Sequence, residues 1–205
     1  MKPRPIAAVW ISSAFCTALA LAGLVLAALG AGERGTDVAL QVTARLSFLL
    51  FWPAYAGGAM TALLGPAFQP LKQYARDFGL AFASALLVHL GLVAWLCYIG
   101  AAPGLTTFIF FGIAALWACL LTLFSVGRLQ HRLRPKGWWL LRTIGLNYIA
   151  FAFALDFFSQ PLLGSIKHSL LYIPFAVLSA FGPTLRLAAY VQRVAQAPAY
   201  PSASE

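Results

Sequence analysis

Three ionisable side chains lie inside long apolar stretches of the sequence: His89, Arg142 and Asp156. Such groups are costly within a membrane, so each is a candidate for function. His89 follows the expected cytoplasmic start of its stretch by about 12 residues, or about 18 Å of helix, which is close to mid-membrane. An imidazole at that depth can ligate haem iron, relay protons or pack through a hydrogen bond, and the residue type leaves all three interpretations open.

Arg142 and Asp156 share one predicted helix, but about 14 residues, or about 21 Å, separate them, so they cannot pair directly. Arg142 lies one turn inside the helix, and we expect it to extend to the cytoplasmic headgroups. Asp156 lies near the opposite end, where it reaches the outer interface or turns inward to hydrogen-bond His89. The two other histidines, His131 and His168, are expected in solvated positions at helix ends or loops.

Six apolar stretches are long enough to position these residues in a bilayer, since a core of about 30 Å needs about 20 residues of helix. The composition agrees, because 61% of the residues are hydrophobic and 9% are charged, against about 25% charged in soluble domains. The first stretch exceeds the roughly 7–15 apolar residues of a signal peptide, so we interpret it as a retained helix. The predicted helices span about 6–30, 46–65, 78–100, 105–126, 138–158 and 169–190.

The basic residues predict the orientation of these helices. Lys and Arg favour cytoplasmic loops, and eleven of the fourteen fall on one side of a six-span arrangement. We therefore predict an all-α integral membrane protein, a six-transmembrane-helix bundle with both termini inside, formed by one domain over 1–194 and followed by a disordered tail, 195–205. The net charge of +9 is then a topology signal and not a sign of nucleic-acid binding. The eleven residues are Lys2, Arg4, Lys72, Arg76, Arg128, Arg132, Arg134, Lys136, Arg142, Arg186 and Arg193.

The second predicted helix contains Pro53, which favours a kink because proline removes a backbone donor. The spacing of Ala54, Gly58 and Ala62 indicates either a close-packing face or ordinary Ala and Gly usage.

Motifs for nucleotide binding, metallopeptidases or serine nucleophiles are absent from the sequence. The three cysteines do not form a CxxC pair, and we expect small buried hydrophobes without a disulfide framework. They are Cys16, Cys97 and Cys119.

Parts of the chain resemble the ferric reductase-like transmembrane domain family, most closely the haem-binding membrane subunits of bacterial methionine-sulfoxide reductase systems. The segment from Arg76 to Phe82 (RDFGLAF) is similar to the family pattern of basic residues, Leu-Gly-Leu and an aromatic, with a haem-ligating histidine ten residues after the glycine, at His89. The segment from Gly137 to Leu141 (GWWLL) resembles the start of the family's fifth helix. Tyr172 and Leu185–Arg186 resemble its closing helix.

The resemblance implies a six-helix fold with haem b on His89 and electron transfer across a bacterial inner membrane. It also implies a quinol or cytoplasmic reductase as donor and a periplasmic redox partner as acceptor. The chain departs from the family in the fifth helix, where two haem histidines are expected about 13 residues apart. Alignment through the tryptophans places Arg142 or Thr143 at the first position and Leu155 or Asp156 at the second.

Three functions are consistent with these residues. The first is a non-catalytic electron-transfer subunit of an oxidoreductase that carries haem b on His89. The second is a haem-free relative that acts as a structural or assembly partner in a membrane complex, with His89 and Asp156 fixing helix packing. The third is a small transporter with the same two residues as a proton relay, which the absence of an inverted repeat disfavours.

Overall fold

The computed structural model of the chain describes residues 5–126, 134–159 and 166–196. All long elements in these ranges are α-helices. Residues 127–133, which include Arg128, His131 and Arg132, lie outside the described residues, as does most of the predicted disordered tail, 197–205. The helices are α1 (Pro5–Leu29), α2 (Glu33–Leu64), α3 (Gln69–Gln73), α4 (Ala75–Tyr98), α5 (Leu105–Val126), α6 (Pro135–Ser159) and α7 (Ile166–Ala195), and a short 3-10 turn, Pro66–Phe68, precedes α3.

Six of these helices are long and apolar enough to cross a membrane: α1, α2, α4, α5, α6 and α7. The bilayer offers no water to backbone N–H and C=O groups, so a crossing chain must satisfy them within the helix. The predicted all-α six-helix membrane bundle is therefore confirmed. The helices continue through Pro53 in α2 and through Pro174 and Pro183 in α7.

The second spanning helix is longer than the sequence analysis predicted, because it begins at Glu33 and not near Leu46. Its 32 residues extend about 48 Å, well beyond a hydrocarbon core of about 30 Å. The count of apolar residues detects only the part of a helix that crosses hydrocarbon, whereas a helix can continue through polar residues at the interface. Thr36, Ala39 and Thr43 in this extension are buried against neighbouring helices.

Helix α2 is the centre of the bundle. It packs against α1 and α4 on one side and against α7 on another, while α6 packs against α5 and α7. The α1–α2–α4 interface is rich in buried alanine, and the core beside α6 and α7 is rich in aromatic rings. Helix α2 thus separates a close-packed alanine seam from an aromatic core.

Glycine allows the closest helix approaches in the described bundle. A Cβ atom at Gly57 of α2 would lie 2.9 Å from the Leu71 Cβ and 3.1 Å from the Leu71 backbone, and one at Gly145 of α6 would lie 2.9 Å from Trp117. Gly58, in the small-residue ladder, has no such neighbour within 4 Å. The close packing on α2 therefore lies one residue before the ladder that the sequence suggested.

Candidate functional site

His89 lies on α4 and faces α2. Its Nδ1 is 3.0 Å from the hydroxyl Oγ1 of Thr43, and the same hydroxyl lies 2.9 Å from the carbonyl oxygen of Ala39, one helical turn earlier. A hydroxyl donates a single proton, so Oγ1 either donates to a backbone carbonyl of its own helix and accepts from Nδ1–H, or donates to Nδ1, depending on the tautomer of His89. His89 thus links two spanning helices through a hydrogen bond.

The surroundings of this hydrogen bond are close-packed. Ala18 and Ala22 of α1, Ala39 of α2 and Ala85 of α4 are each at most 3% exposed. Small residues of this kind let helix backbones approach closely in a membrane. His89 therefore lies beside a seam of three helices, where the Ser84 hydroxyl of α4 is within hydrogen-bond distance of the Ile11 carbonyl of α1, at 3.0 Å, and of the Ala81 carbonyl of its own helix, at 2.8 Å.

Aromatic side chains of α2, α4 and α6 pack together about 10 Å along α4 from His89. The ring centroids of Phe51 and Phe82 are 5.3 Å apart, those of Phe51 and Phe153 are 5.7 Å apart, and those of Phe82 and Phe153 are 6.2 Å apart. These distances are typical of packed aromatic pairs. Helix α6 supplies no histidine that could serve as a second ligand to a haem on His89.

Arg142 lines a cavity of about 280 Å³ at the end of the bundle that the sequence predicts to be cytoplasmic. We call it the basal cavity. Its cationic residues are Lys72, Arg76 and Arg142, and Trp138 lies at its edge. Arg76 also donates from Nη2 to the Ser125 carbonyl at 3.0 Å, which holds the start of α4 against the end of α5. The remaining wall is formed mainly by Phe51, Ala54, Gly79, Leu80, Phe82, Leu121, Leu146 and Ile149.

A polar cluster lies beside Arg142, between α2, α6 and α7. The hydroxyl of Tyr55 donates to Oδ1 of Asn147 at 2.9 Å. The guanidinium of Arg186 lies over the Tyr55 ring, 4.4 Å from its centroid, and it experiences the charge of Arg142. The sequence analysis used Arg186 as a topology marker and did not identify Tyr55. No pattern in the sequence places residues of three helices together, so only the fold reveals this cluster.

Asp156 lies near the other end of α6, where its charge acts on Tyr172 of α7. Arg45 of α2 also reaches this region, with its guanidinium 4.4 Å from the Tyr172 ring centroid and 5.8 Å from that of Phe175. Arg45 directly precedes the predicted second helix, which would put it in the preceding loop, but it lies inside α2 because that helix begins at Glu33. The structure therefore separates the three candidates: His89 is beside Thr43, Arg142 is in the basal cavity and Asp156 is near Tyr172.

The described residues contain no group of three or more His, Cys, Asp and Glu side chains that could hold a metal ion. The cysteines are free thiols on three different helices, α1, α4 and α5, and the expectation that they are buried is wrong, because Cys16 and Cys119 are exposed and Cys97 is half-buried on the helix surfaces. The side chain of His168 and all of His131 lie outside the described residues.

Comparison with known proteins gave no match, either to a family model, to a curated protein or to a solved structure.

Proposed function

We propose that this chain is a haem-free, non-catalytic membrane subunit that acts as a structural or assembly partner in a bacterial inner-membrane complex. The observation that carries the proposal is the hydrogen bond between His89 and Thr43. It gives the imidazole a packing role between α2 and α4. The sequence had suggested Asp156 as the packing partner, whereas the bond of His89 goes to a hydroxyl on α2.

The aromatic packing between α4 and α6 supports the same proposal. Three phenylalanine rings, Phe51, Phe82 and Phe153, pack against one another among α2, α4 and α6, which favours a helix-packing role for this part of the bundle. An electron-transfer role needs iron ligands on both sides of the ring for a low-spin centre. The fifth span offers Arg142 and Asp156 near the expected positions, and neither side chain replaces an imidazole there.

One observation favours the electron-transfer alternative. Nδ1 of His89 has a hydrogen-bond partner in Thr43, and metal-bound histidines commonly have such a partner on the nitrogen that does not bind the metal. Haem b with His89 as its single protein ligand is the form of this alternative that the residues allow. Its partners would be those of the family resemblance, a quinol or cytoplasmic reductase and a periplasmic acceptor.

A visible spectrum separates the two functions. We expect the full-length protein, expressed with excess haem precursor and purified in mild detergent, to show no Soret or α-band in reduced-minus-oxidised spectra. A Soret band that is lost in His89→Ala and retained in Thr43→Val would overturn the proposal and establish the electron-transfer alternative. A band retained in His89→Ala would also overturn it and would place haem on another ligand.

A further inference from the structure

The charge of the basal cavity is uncompensated. Lys72, Arg76 and Arg142 line it, and none of the described lining residues is acidic. Asp77 is an acidic residue at the same end of the bundle, but it is buried on α4 and does not line the cavity.

The second layer of the cavity is also cationic. Arg186 does not line the cavity but is close enough to Arg142 for their charges to interact, and its guanidinium lies over the Tyr55 ring. Two arginines that repel each other within spanning helices are costly, since charges at this depth are normally paired or hydrogen-bonded. An anion in the cavity would compensate both charges at once.

Arg142 and Arg186 lie near the ends of their helices, at a height expected for lipid headgroups. Arg142 follows the first residue of α6 by seven positions, which is about 10 Å along the helix axis. Arg186 precedes the last residue of α7 by nine positions, which is about 14 Å. The side chain of Arg142 is exposed and that of Arg186 is half-buried, so a phosphate at this end of the bundle can reach Arg142.

The residues that line the cavity are of the types that would bind an amphiphilic ligand. The cavity is lined by the three cations and the polar side chains of Gln73, Thr122 and Ser125, and also by apolar residues that include Leu80, Leu121, Leu146 and Ile149. Its volume of about 280 Å³ is near the lower end of pockets for small molecules. This size suits a headgroup, with the acyl chains remaining in the surrounding lipid.

We propose that the basal cavity binds the phosphate group of an anionic amphiphile from the adjoining leaflet, with Arg142 as the principal contact and Lys72 and Arg76 as supporting cations. Arginine is well suited to this role because its planar fork donates two parallel hydrogen bonds to phosphate oxygens. The site is independent of whether haem binds at His89. The same phosphate chemistry could be supplied by a lipid headgroup or by free phosphate, and the experiment separates these sources.

The test uses the purified full-length protein in neutral detergent and native mass spectrometry. The probes are phosphatidic acid, diacylglycerol of the same acyl chains, and inorganic phosphate. We expect phosphatidic acid to bind at least tenfold more tightly than diacylglycerol, and Arg142→Gln to weaken phosphatidic acid binding at least fivefold. Lys136→Gln is the matched control, because it removes the same charge from an exposed position of the same helix outside the cavity, and we expect less than a twofold change.

Arg142→Lys distinguishes loss of the anion contact from misfolding. It keeps the charge and loses the fork, so binding should fall between that of the native protein and that of Arg142→Gln. Equal losses in Arg142→Gln and Lys136→Gln, or equal binding of the two lipids, would overturn the site. Saturable binding of inorganic phosphate that is lost in Arg142→Gln and blocks phosphatidic acid would support the anion site and assign it to a soluble phosphate.

Discussion

At the scale of single residues, the in-membrane polar groups have different roles because their neighbours differ. His89 is joined to Thr43 in a seam of alanines. Arg142 lines a cationic cavity without a carboxylate among its described lining residues. Asp156 lies near the opposite end of α6 from Arg142, where its charge interacts with Tyr172 of α7. A shared property, a titratable group inside a span, therefore does not imply a shared site.

The hydrogen bond between His89 and Thr43 predicts an energetic coupling. Interhelical hydrogen bonds in membrane proteins average about 0.6 kcal/mol and reach about 1.7 kcal/mol, so we expect a coupling in this range for His89→Ala and Thr43→Val. The measurement is a double-mutant cycle on the free energy of unfolding in mixed detergent micelles. Exactly additive single-variant effects would contradict the role of this bond in packing. The pair His89→Ala with Ser179→Ala, on a helix that His89 does not bond, serves as the control cycle.

At the scale of helices, the bundle depends on where glycine permits close approach. Gly57 faces both the side chain and the backbone of Leu71, whereas its neighbour Gly58 faces no atom within 4 Å. The short α3 can lie against α2 only because Gly57 has no side chain. This contact holds the segment that carries Lys72 beside the basal cavity.

The two adjacent glycines give a matched pair of variants. Gly57→Ala should lower stability by about 1–3 kcal/mol, because the added methyl group meets backbone atoms that cannot rotate away. Gly58→Ala should leave stability unchanged or raise it slightly, since alanine favours the helix more than glycine does. Thermal unfolding of the purified variants in detergent measures both effects. Equal stability of the two variants would show that the α2–α3 contact is not close-packed.

At the scale of the whole molecule, the bundle has a strong charge asymmetry. Eleven basic residues fall on one side of the six-span arrangement and three on the other, Arg34, Arg45 and Lys167. This distribution predicts that the basal cavity faces the cytoplasm, because the excess of Lys and Arg sets the orientation. The orientation decides which leaflet can supply the proposed phosphate.

Accessibility labelling in intact cells tests this orientation. In a background with Cys16, Cys97 and Cys119 replaced by alanine, Arg34→Cys should react with a membrane-impermeant maleimide. Lys72→Cys should react only after the membrane is permeabilised. Both native side chains are exposed, so differences in reactivity report the side of the membrane. The reverse labelling pattern would show that the basal cavity opens to the outside.

The sequence by itself determined that the chain forms six membrane-spanning helices, because hydrocarbon permits only internally hydrogen-bonded segments and the apolar stretches have the required length. It also identified His89, Arg142 and Asp156, since ionisable residues are rare in such stretches. It placed the start of α2 too late, because hydropathy does not register a helix that continues through the polar residues 33–45. Only the tertiary structure decided that His89 bonds Thr43, that phenylalanine rings of α2, α4 and α6 pack together, and that Tyr55, Asn147 and Arg186 meet beside Arg142. These contacts join residues on different helices, and the rotation of each helix about its axis is set by packing, which apolar composition alone does not specify.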